Sequence, residues 1–305
     1  MSKEKNIPLT FESLSHLHRA LGLPKPLHPM ISLVNTLGSE MPSSKLPDPF
    51  ILNFYKIAYR PNLRGKIRYG QRHYDFDEGG LVFISPHQIS GGSEDNHNHS
   101  GYTLLIDPAF LYGYPLATKI KKYGFFSYSA SEALHLSDKE KTTIVSLFAS
   151  MEDELNGRID DFSQDVMISQ LDLLLNYANR FYKRQFLTRK IETPDILEKL
   201  ESILAQYFDQ EVSGQHGLPT VRYISNKLNI SASYLSDMLR SLTGQNAQQH
   251  IHNALIEKAK EKLTTSSLSV SEISYALGFE HSQSFSNLFK KKTSLSPLEF
   301  RQAFQ

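Results

Sequence analysis

The chain of 305 residues contains no cysteine. That absence excludes disulfides, thiolate zinc sites, iron–sulfur clusters and a cysteine nucleophile. No run approaches the ~18 consecutive apolar residues of a membrane span. The opening Met1-Ser-Lys-Glu-Lys-Asn6 has lysines with no apolar stretch behind them, so no secretory signal and a cytoplasmic location are expected. Net charge is scarce as well: 33 Lys+Arg stand against 32 Asp+Glu, a balance of +1. Averaged over the chain, such neutrality argues against nucleic acid as a partner. What is present is ordinary, with 40% hydrophobic and 21% charged residues, as in a globular protein. At roughly 150 residues per domain, two domains are expected.

Residues 1–49 hold seven of the fourteen prolines and read as an extended arm and lead-in. From Phe50 to Leu111 the texture is strand. Residues 50–59, 66–69, 80–85 and 102–107 are rich in β-branched and aromatic residues and are separated by Gly, Pro, Asn and Asp clusters. Several short strands in succession suggest a small barrel or jelly roll, whose interior is a natural place for a small ligand. Ser137-Asp-Lys-Glu140 is a capping box that opens a helix to about Asn156, ended by Gly157. A second helix runs from about Ser163 to Gln185. Met167, Leu171, Leu174, Ala178 and Phe181 form one stripe on it, widened by Ile168, Leu175 and Tyr182. Either the whole stripe packs on the barrel, or part of it pairs with the same helix of a second subunit. The second alternative makes the helices at 137–186 the contact of a homodimer. The polar stretch Thr188–Pro194 reads as a linker, and everything beyond it is helical in pattern. The fold class is therefore α+β: an N-terminal domain over 1–187, a linker over 188–194 and an all-α domain over 195–305.

The most informative feature is an internal repeat. Val221-Arg-Tyr-Ile-Ser-Asn-Lys-Leu-Asn-Ile230 matches Val270-Ser-Glu-Ile-Ser-Tyr-Ala-Leu-Gly-Phe279 at an offset of 49. After one extra residue the offset becomes 50, and Leu235, Ser236, Leu239 and Thr243 match Phe285, Ser286, Phe289 and Thr293. Each copy reads helix, tight turn, helix. Gly278 supplies a positive φ at the second turn, and Asn229, which tolerates that conformation, stands in its place at the first. Two short helices joined this way form the helix-turn-helix unit, whose second helix enters the DNA major groove. Between the copies, Asn246 to Leu263 has no Gly or Pro and predicts a continuous helix of roughly 27 Å. That length suits two recognition helices held about one DNA turn (~34 Å) apart.

Residues 219–305 resemble the DNA-binding domain of the arabinose-regulator (AraC-type) transcription factors. The stretches that carry the resemblance are Ser233-Tyr-Leu-Ser236 with Thr243-Gly244, Glu257–Leu263, Ile273–Phe279, and Phe285–Lys291 followed by Ser296-Pro297. The N-terminal half, with Gly79-Gly-Leu-Val-Phe-Ile-Ser-Pro86, is similar in arrangement to that family's cupin-like sensor domains. The resemblance implies a regulator of transcription that binds double-stranded promoter DNA, engages RNA polymerase and answers to an unidentified small effector bound by the N-terminal domain. This chain departs from the pattern. The family usually has Arg at the positions of Asp237 and Asn287, Pro at Ala247 and Gly at Ser294, and its linking helix commonly has basic residues where Asn253 and Leu255 stand.

Helical geometry selects the DNA-facing side chains without the family. With Leu235, Met238, Leu239 and Leu242 inward, the first recognition helix presents Ser233, Ser236, Asp237 and Arg240. With Phe285, Leu288 and Phe289 inward, the second presents Gln283, Ser286, Asn287 and Lys290. Gln and Asn can bond an adenine edge bidentately. Arg240 can reach guanine or phosphate, whereas Lys290 and Lys291 neutralise phosphate. The first-turn amides near Ser231 and Ser282 can bind phosphate oxygens. Asp237 either accepts from a cytosine amino group or pairs with a neighbouring cation. Charge follows the same division, because residues 219–305 carry ten Lys+Arg and six Asp+Glu, a net of +4, and leave −3 for the rest.

Other constellations are weaker. His97-Asn-His99, near Glu94, Asp95 and His87, has the alternating histidines of metal-binding cupins but lies in a Gly/Ser-rich stretch that reads as a surface loop. The competing reading it leaves is a metal-dependent cupin enzyme with an accessory DNA-binding domain. Asp75, Asp77 and Glu78 read as a solvated turn. No P-loop, Rossmann glycine pattern or nucleophile elbow occurs. The missing cysteines also exclude the thiol-bearing DNA-repair enzymes that share this DNA-binding domain. No catalytic residue, metal or cofactor is expected.

Overall fold

The computed structural model describes residues 8–38, 49–63, 79–90, 100–158, 160–190, 195–209 and 217–304. The chain divides into two compact units, residues 1–185 and 186–305.

In the first unit the proline-rich lead-in is not simply extended. Strand β1 (Leu9–Phe11) runs into helix α1 (Leu14–Leu21), which fits between Pro8 and Pro24. Ser13 caps its start by accepting from the His16 amide, and Gly22 ends it at φ 69°. Leu14, Leu17 and Leu21 line its buried face and pack with Phe11, Phe50, Leu52 and Phe54. Strand β2 (Ile31–Asn35) follows. The single strand expected over 50–59 is two, β3 (Phe50–Leu52) and β4 (Tyr55–Arg60), broken where the Asn53 amide donates to the Phe11 carbonyl. That break holds β3 beside β1 and buries Phe54 completely. Strands β5 (Gly80–Ile84), β6 (Ile89–Ser90), β7 (Tyr102–Ile106) and β8 (Leu134–His135) complete the set. The expected strand over 66–69 lies outside the described residues.

The strands do not form the expected barrel. They make a three-stranded sheet, β1-β3-β6, and a five-stranded antiparallel sheet, β2-β7-β4-β5-β8. A barrel closes only when its two edge strands pair. Among the described residues β2 pairs only with β7, and the two-residue β8 only with β5, so the sheet stays open. Among the described residues the N-terminal unit is thus a mixed-sheet fold with no closed barrel.

A short helix, α2 (Leu116–Lys119), precedes two long ones. Helix α3 (Asp138–Asn156) opens on the expected Ser137/Glu140 capping box and stops at Gly157. Helix α4 (Ser163–Lys190) extends beyond Gln185, so residues 188–190 of the expected linker are its last turn; 191–194 lie outside the described residues. All eight stripe residues of α4, from Met167 to Tyr182, are buried within the chain. Tyr182 packs against Phe83, Phe125 and Tyr128. Arg184 binds Glu140 at 2.6 Å and donates to the His135 carbonyl, which ties α4 to α3 and β8.

The second unit is all helix: α5 (Asp195–Asp209), α6 (Val221–Lys227), α7 (Ala232–Thr243), α8 (Ala247–Thr265), α9 (Val270–Ala276), α10 (Ser282–Thr293) and α11 (Pro297–Ala303). The predicted linking helix is α8. It opens on an Asn246/Gln249 capping box and buries Ile251, Leu255, Ile256, Ala259 and Leu263. Helices α5, α6, α7, α9 and α11 all pack on it, so α8 is the spine on which the rest is hung.

Among the described residues of the second unit, one buried polar side chain is left over. Ser274 on α9 is fully buried and its hydroxyl has no hydrogen-bond partner, whereas its counterpart Ser225 on α6 donates to the Arg222 carbonyl. A buried hydroxyl without a partner costs its desolvation. Ser274→Ala is therefore expected to leave stability unchanged or raise it by up to about 1 kcal/mol, measured by urea unfolding, and a loss of that size would contradict the assignment.

Candidate nucleic-acid interface

The repeat seen in the sequence is reproduced atom for atom in the backbone. The Leu228 and Leu277 amides close α6 and α9 onto Ile224 and Ile273, each at 3.0 Å. The next residues take positive φ, Asn229 at 55° and Gly278 at 92°. Ile230 then donates to the Ser225 carbonyl at 3.0 Å and Phe279 to that of Ser274 at 3.1 Å. These bonds fix the turn and set α7 and α10 off in the same way relative to α6 and α9. The recognition helices also end alike. Gly244 (φ 76°) and Ser294 (φ 67°) donate back to Arg240 and Lys290, and the Thr243 and Thr293 hydroxyls donate to Leu239 and Phe289. Ser294 thus adopts the left-handed conformation without being glycine, a strain of roughly 1–2 kcal/mol for a side-chain-bearing residue.

The inward faces agree with the sequence except at Leu242 and Leu288, which are half-buried. Leu235, Met238 and Leu239 of α7, and Phe285 and Phe289 of α10, are buried. Phe285 packs between Phe279 and Phe289, and Phe289 meets Phe300 of α11. The proposed DNA-facing side chains fall on the other side. On α7, Ser233, Ser236 and Asp237 are half-buried and Arg240 is exposed; on α10, Gln283, Asn287, Lys290 and Lys291 are exposed and Ser286 is half-buried.

Neighbouring groups organise several of them. Asp237 pairs with Arg240 at 2.8 Å, which realises the cation alternative for Asp237 in the free protein. Gln283 donates to Asn287 at 3.3 Å, so the two amides share one patch. The Ser231 hydroxyl caps α7 by accepting from the Tyr234 amide. At the start of α10, by contrast, His281 provides no side-chain cap, and Ser282 occupies the first turn of a helix with open amide donors.

One arrangement was not legible in the sequence. Asn253, on α8, donates to the Gln245 side chain at 2.8 Å and accepts from Lys292 at 3.0 Å. It therefore connects the end of the first helix-turn-helix to the end of the second recognition helix. Gln245 and Asn253 are two turns apart and share a face, but nothing in the sequence brings Lys292 to them. Lys292 is engaged here, which separates it from Lys290 and Lys291 as a phosphate partner. Burial, and then the charges of Lys292 and Lys291, hold His252 below the usual imidazole range. Burial likewise lowers His250, partly offset by Glu201.

No group of three or more His, Asp or Glu side chains among the described residues is placed to hold a metal. His97, His99, Glu94, Asp95, Asp75, Asp77 and Glu78 lie outside the described residues, and His87 has its Nδ1 3.0 Å from Asn53 Oδ1. No described helix is long and apolar enough to cross a membrane.

A match to a known family falls on the same region. Residues 224–303 match the family model of a helix-turn-helix domain. The chain is 33% identical over 113 residues to the Msm operon regulatory protein of Streptococcus mutans, covering 36% of this chain and 41% of that one. It is 30% identical over 141 residues to the HTH-type transcriptional activator RhaS of an Enterobacter species, covering 46% of each. The matches span less than half the length of these relatives. Among solved structures, the C-terminal domain of the response regulator yesN from Fusobacterium nucleatum is 29% identical, with 33% of this chain and 95% of that one covered and a TM-score of 0.29. Residues 224–303 are thus a helix-turn-helix domain, and they belong to the arabinose-regulator (AraC) type.

Proposed function

We propose that this protein is a sequence-specific, DNA-binding regulator of transcription. The observation that carries the reading is the backbone-level duplication of the helix-turn-helix, with the first recognition helix packed on α8 and the second tied to it through the Lys292–Asn253 hydrogen bond. A 19-residue α8 spans about 28 Å, which suits two successive major grooves on one face of promoter DNA. Within this reading Gln283 and Asn287 contact base edges, Ser233, Ser236 and Ser286 line the groove, and Lys290 and Lys291 meet phosphates. Arg240 reaches DNA from its pair with Asp237, and the helix starts at Ser231 and Ser282 face phosphates. The N-terminal unit senses a small effector, and the protein acts in the cytoplasm by altering RNA polymerase recruitment. A ligand can do this only by binding two arrangements of the protein unequally. No catalytic role is assigned to any residue. Electrophoretic mobility shifts on DNA fragments enriched from the source genome test the reading, and failure to enrich any fragment over bulk DNA would end it.

A homodimer through the helices at 137–186 belongs to the same proposal, but the buried stripe of α4 is already used. The contact would fall on its outer face, where Phe162, Val166 and Leu173 are exposed just before and along the helix. Leu173→Glu is expected to leave the fold intact and to shift sedimentation from dimer to monomer. A wild type that sediments as a monomer at tens of micromolar removes this part of the proposal.

A further inference from the structure

The five-stranded sheet ends on β2, whose second edge has no strand partner among the described residues. A groove of about 520 Å3 runs beside that edge, and its lining takes in every residue from Ile31 to Thr36 without a gap. Successive side chains of a strand point to opposite faces, so a cavity on one face would be lined by alternate residues only. Six in succession place the groove along the edge itself. One wall is the end of α3, with Glu152 and Leu155, and the other is the turn after α1, with Leu23, Lys25 and Leu27.

The pairing with β7 decides which main-chain groups face the groove. The Met30 carbonyl accepts from Asp107 and the Thr36 amide donates to Gly101, so even-numbered residues turn their N–H and C=O groups to β7. In an antiparallel ladder these directions alternate. Leu33 and Asn35 therefore turn theirs to the groove, about 6.8 Å apart, the repeat of another extended chain. The two ends of the groove differ in charge. His18 has Nδ1 2.6 Å from the Pro24 carbonyl oxygen and Nε2 3.0 Å from the Ser32 hydroxyl, which places the turn bearing Lys25 beside the start of β2. At the far end Asn35 donates to Glu152 at 2.9 Å. Neither Lys25 nor Glu152 has an ion-pair partner among the described residues.

We propose that this groove binds a short peptide with free termini, about four residues long, as a strand added antiparallel to β2. In that direction the peptide amine meets Glu152 and its carboxylate meets Lys25. Its backbone exchanges hydrogen bonds with Leu33 and Asn35, and its aliphatic side chains lie on the two walls. From Ser32 to Asn35 the strand advances about 10 Å, which fits a tetrapeptide. A second copy of the chain does not fit, because walls on both sides of β2 keep another sheet edge away. Binding stands on its own; only its role as the effector signal rests on the regulator reading above.

The test equilibrates the full chain with an equimolar library of random tetrapeptides bearing free termini. Retained peptides are separated by gel filtration and identified by mass spectrometry. A subset should be retained, falling at least ten-fold with Glu152→Gln and at least ten-fold when the library is N-acetylated. Leu33→Pro removes one groove-facing N–H at an edge position where proline is tolerated, and should lower retention similarly while circular dichroism stays unchanged. No retention above background, or retention indifferent to Glu152→Gln and to acetylation, would overturn the proposal. A protein that retains peptides but binds DNA identically with and without them keeps the groove and loses its regulatory role. One that binds specific DNA yet retains no peptide keeps the regulator reading and loses the groove.

Discussion

Phe289→Ala is expected to destabilise the C-terminal unit by about 3–5 kcal/mol, the usual cost of emptying a fully buried phenylalanine site. Phe289 is fully buried and touches Phe285 on its own helix and Phe300 on α11. Its loss opens a void at the place where α10 is held to the rest of the unit. Because a domain commonly has only 5–15 kcal/mol in hand, this change should lower the denaturation midpoint sharply and remove DNA binding with it. Leu298 on α11 provides the control. It is 56% exposed, so Leu298→Ala should change stability by no more than about 0.5 kcal/mol. Urea unfolding followed by circular dichroism separates the two, and equal effects would mean that α10 is not packed as described.

The second large effect concerns specificity rather than stability. Gln283→Ala combined with Asn287→Ala should weaken binding to the protein's own operator by about 30-fold or more, since each good base contact contributes roughly 1–3 kcal/mol of discrimination and the two together about 2–6 kcal/mol. Binding to unrelated duplex should stay within about two-fold. Lys290→Ala should behave in the opposite way, weakening both and reducing the slope of log K against log salt by about 0.9. The structural basis is the exposed Gln283–Asn287 pair, with Lys290 further along the same helix. If the double variant lost specific and non-specific binding in the same proportion, the two amides would be phosphate contacts and the recognition face would have to be rotated.

Much of the C-terminal unit was legible because its signals are local. The Leu-Asn and Leu-Gly pairs at 228–229 and 277–278 mark turns that the backbone can make only with a left-handed residue, and both residues adopt it. Ser137 and Glu140 announced α3 through a hydrogen-bond pattern contained within four residues. The N-terminal unit was harder, because its features depend on distant partners. The prolines around α1 obscured a helix whose own caps, Ser13 and Gly22, were present in the sequence. The bend at Asn53 exists because β3 follows β1 into a second sheet, and an apolar run such as Phe50–Tyr59 does not disclose which neighbour each half will choose. A barrel and two open sheets share the same alternation of strand and turn; only the pairing of edges distinguishes them. The link from Gln245 through Asn253 to Lys292 was hidden for the same reason, since it spans 47 positions of chain.

The near-neutral charge also takes on a definite meaning. Residues 219–305 carry +4, small for a nucleic-acid-binding unit, so non-specific attraction is modest and the two recognition helices must act together. Hydroxyl-radical footprinting of the purified protein on duplexes selected from a random pool tests that cooperation most directly. The duplicated turns and the spine helix α8 predict two protected stretches on one face of the DNA, centred about 10–10.5 base pairs apart. A single protected half-site, or two on opposite faces, would contradict it.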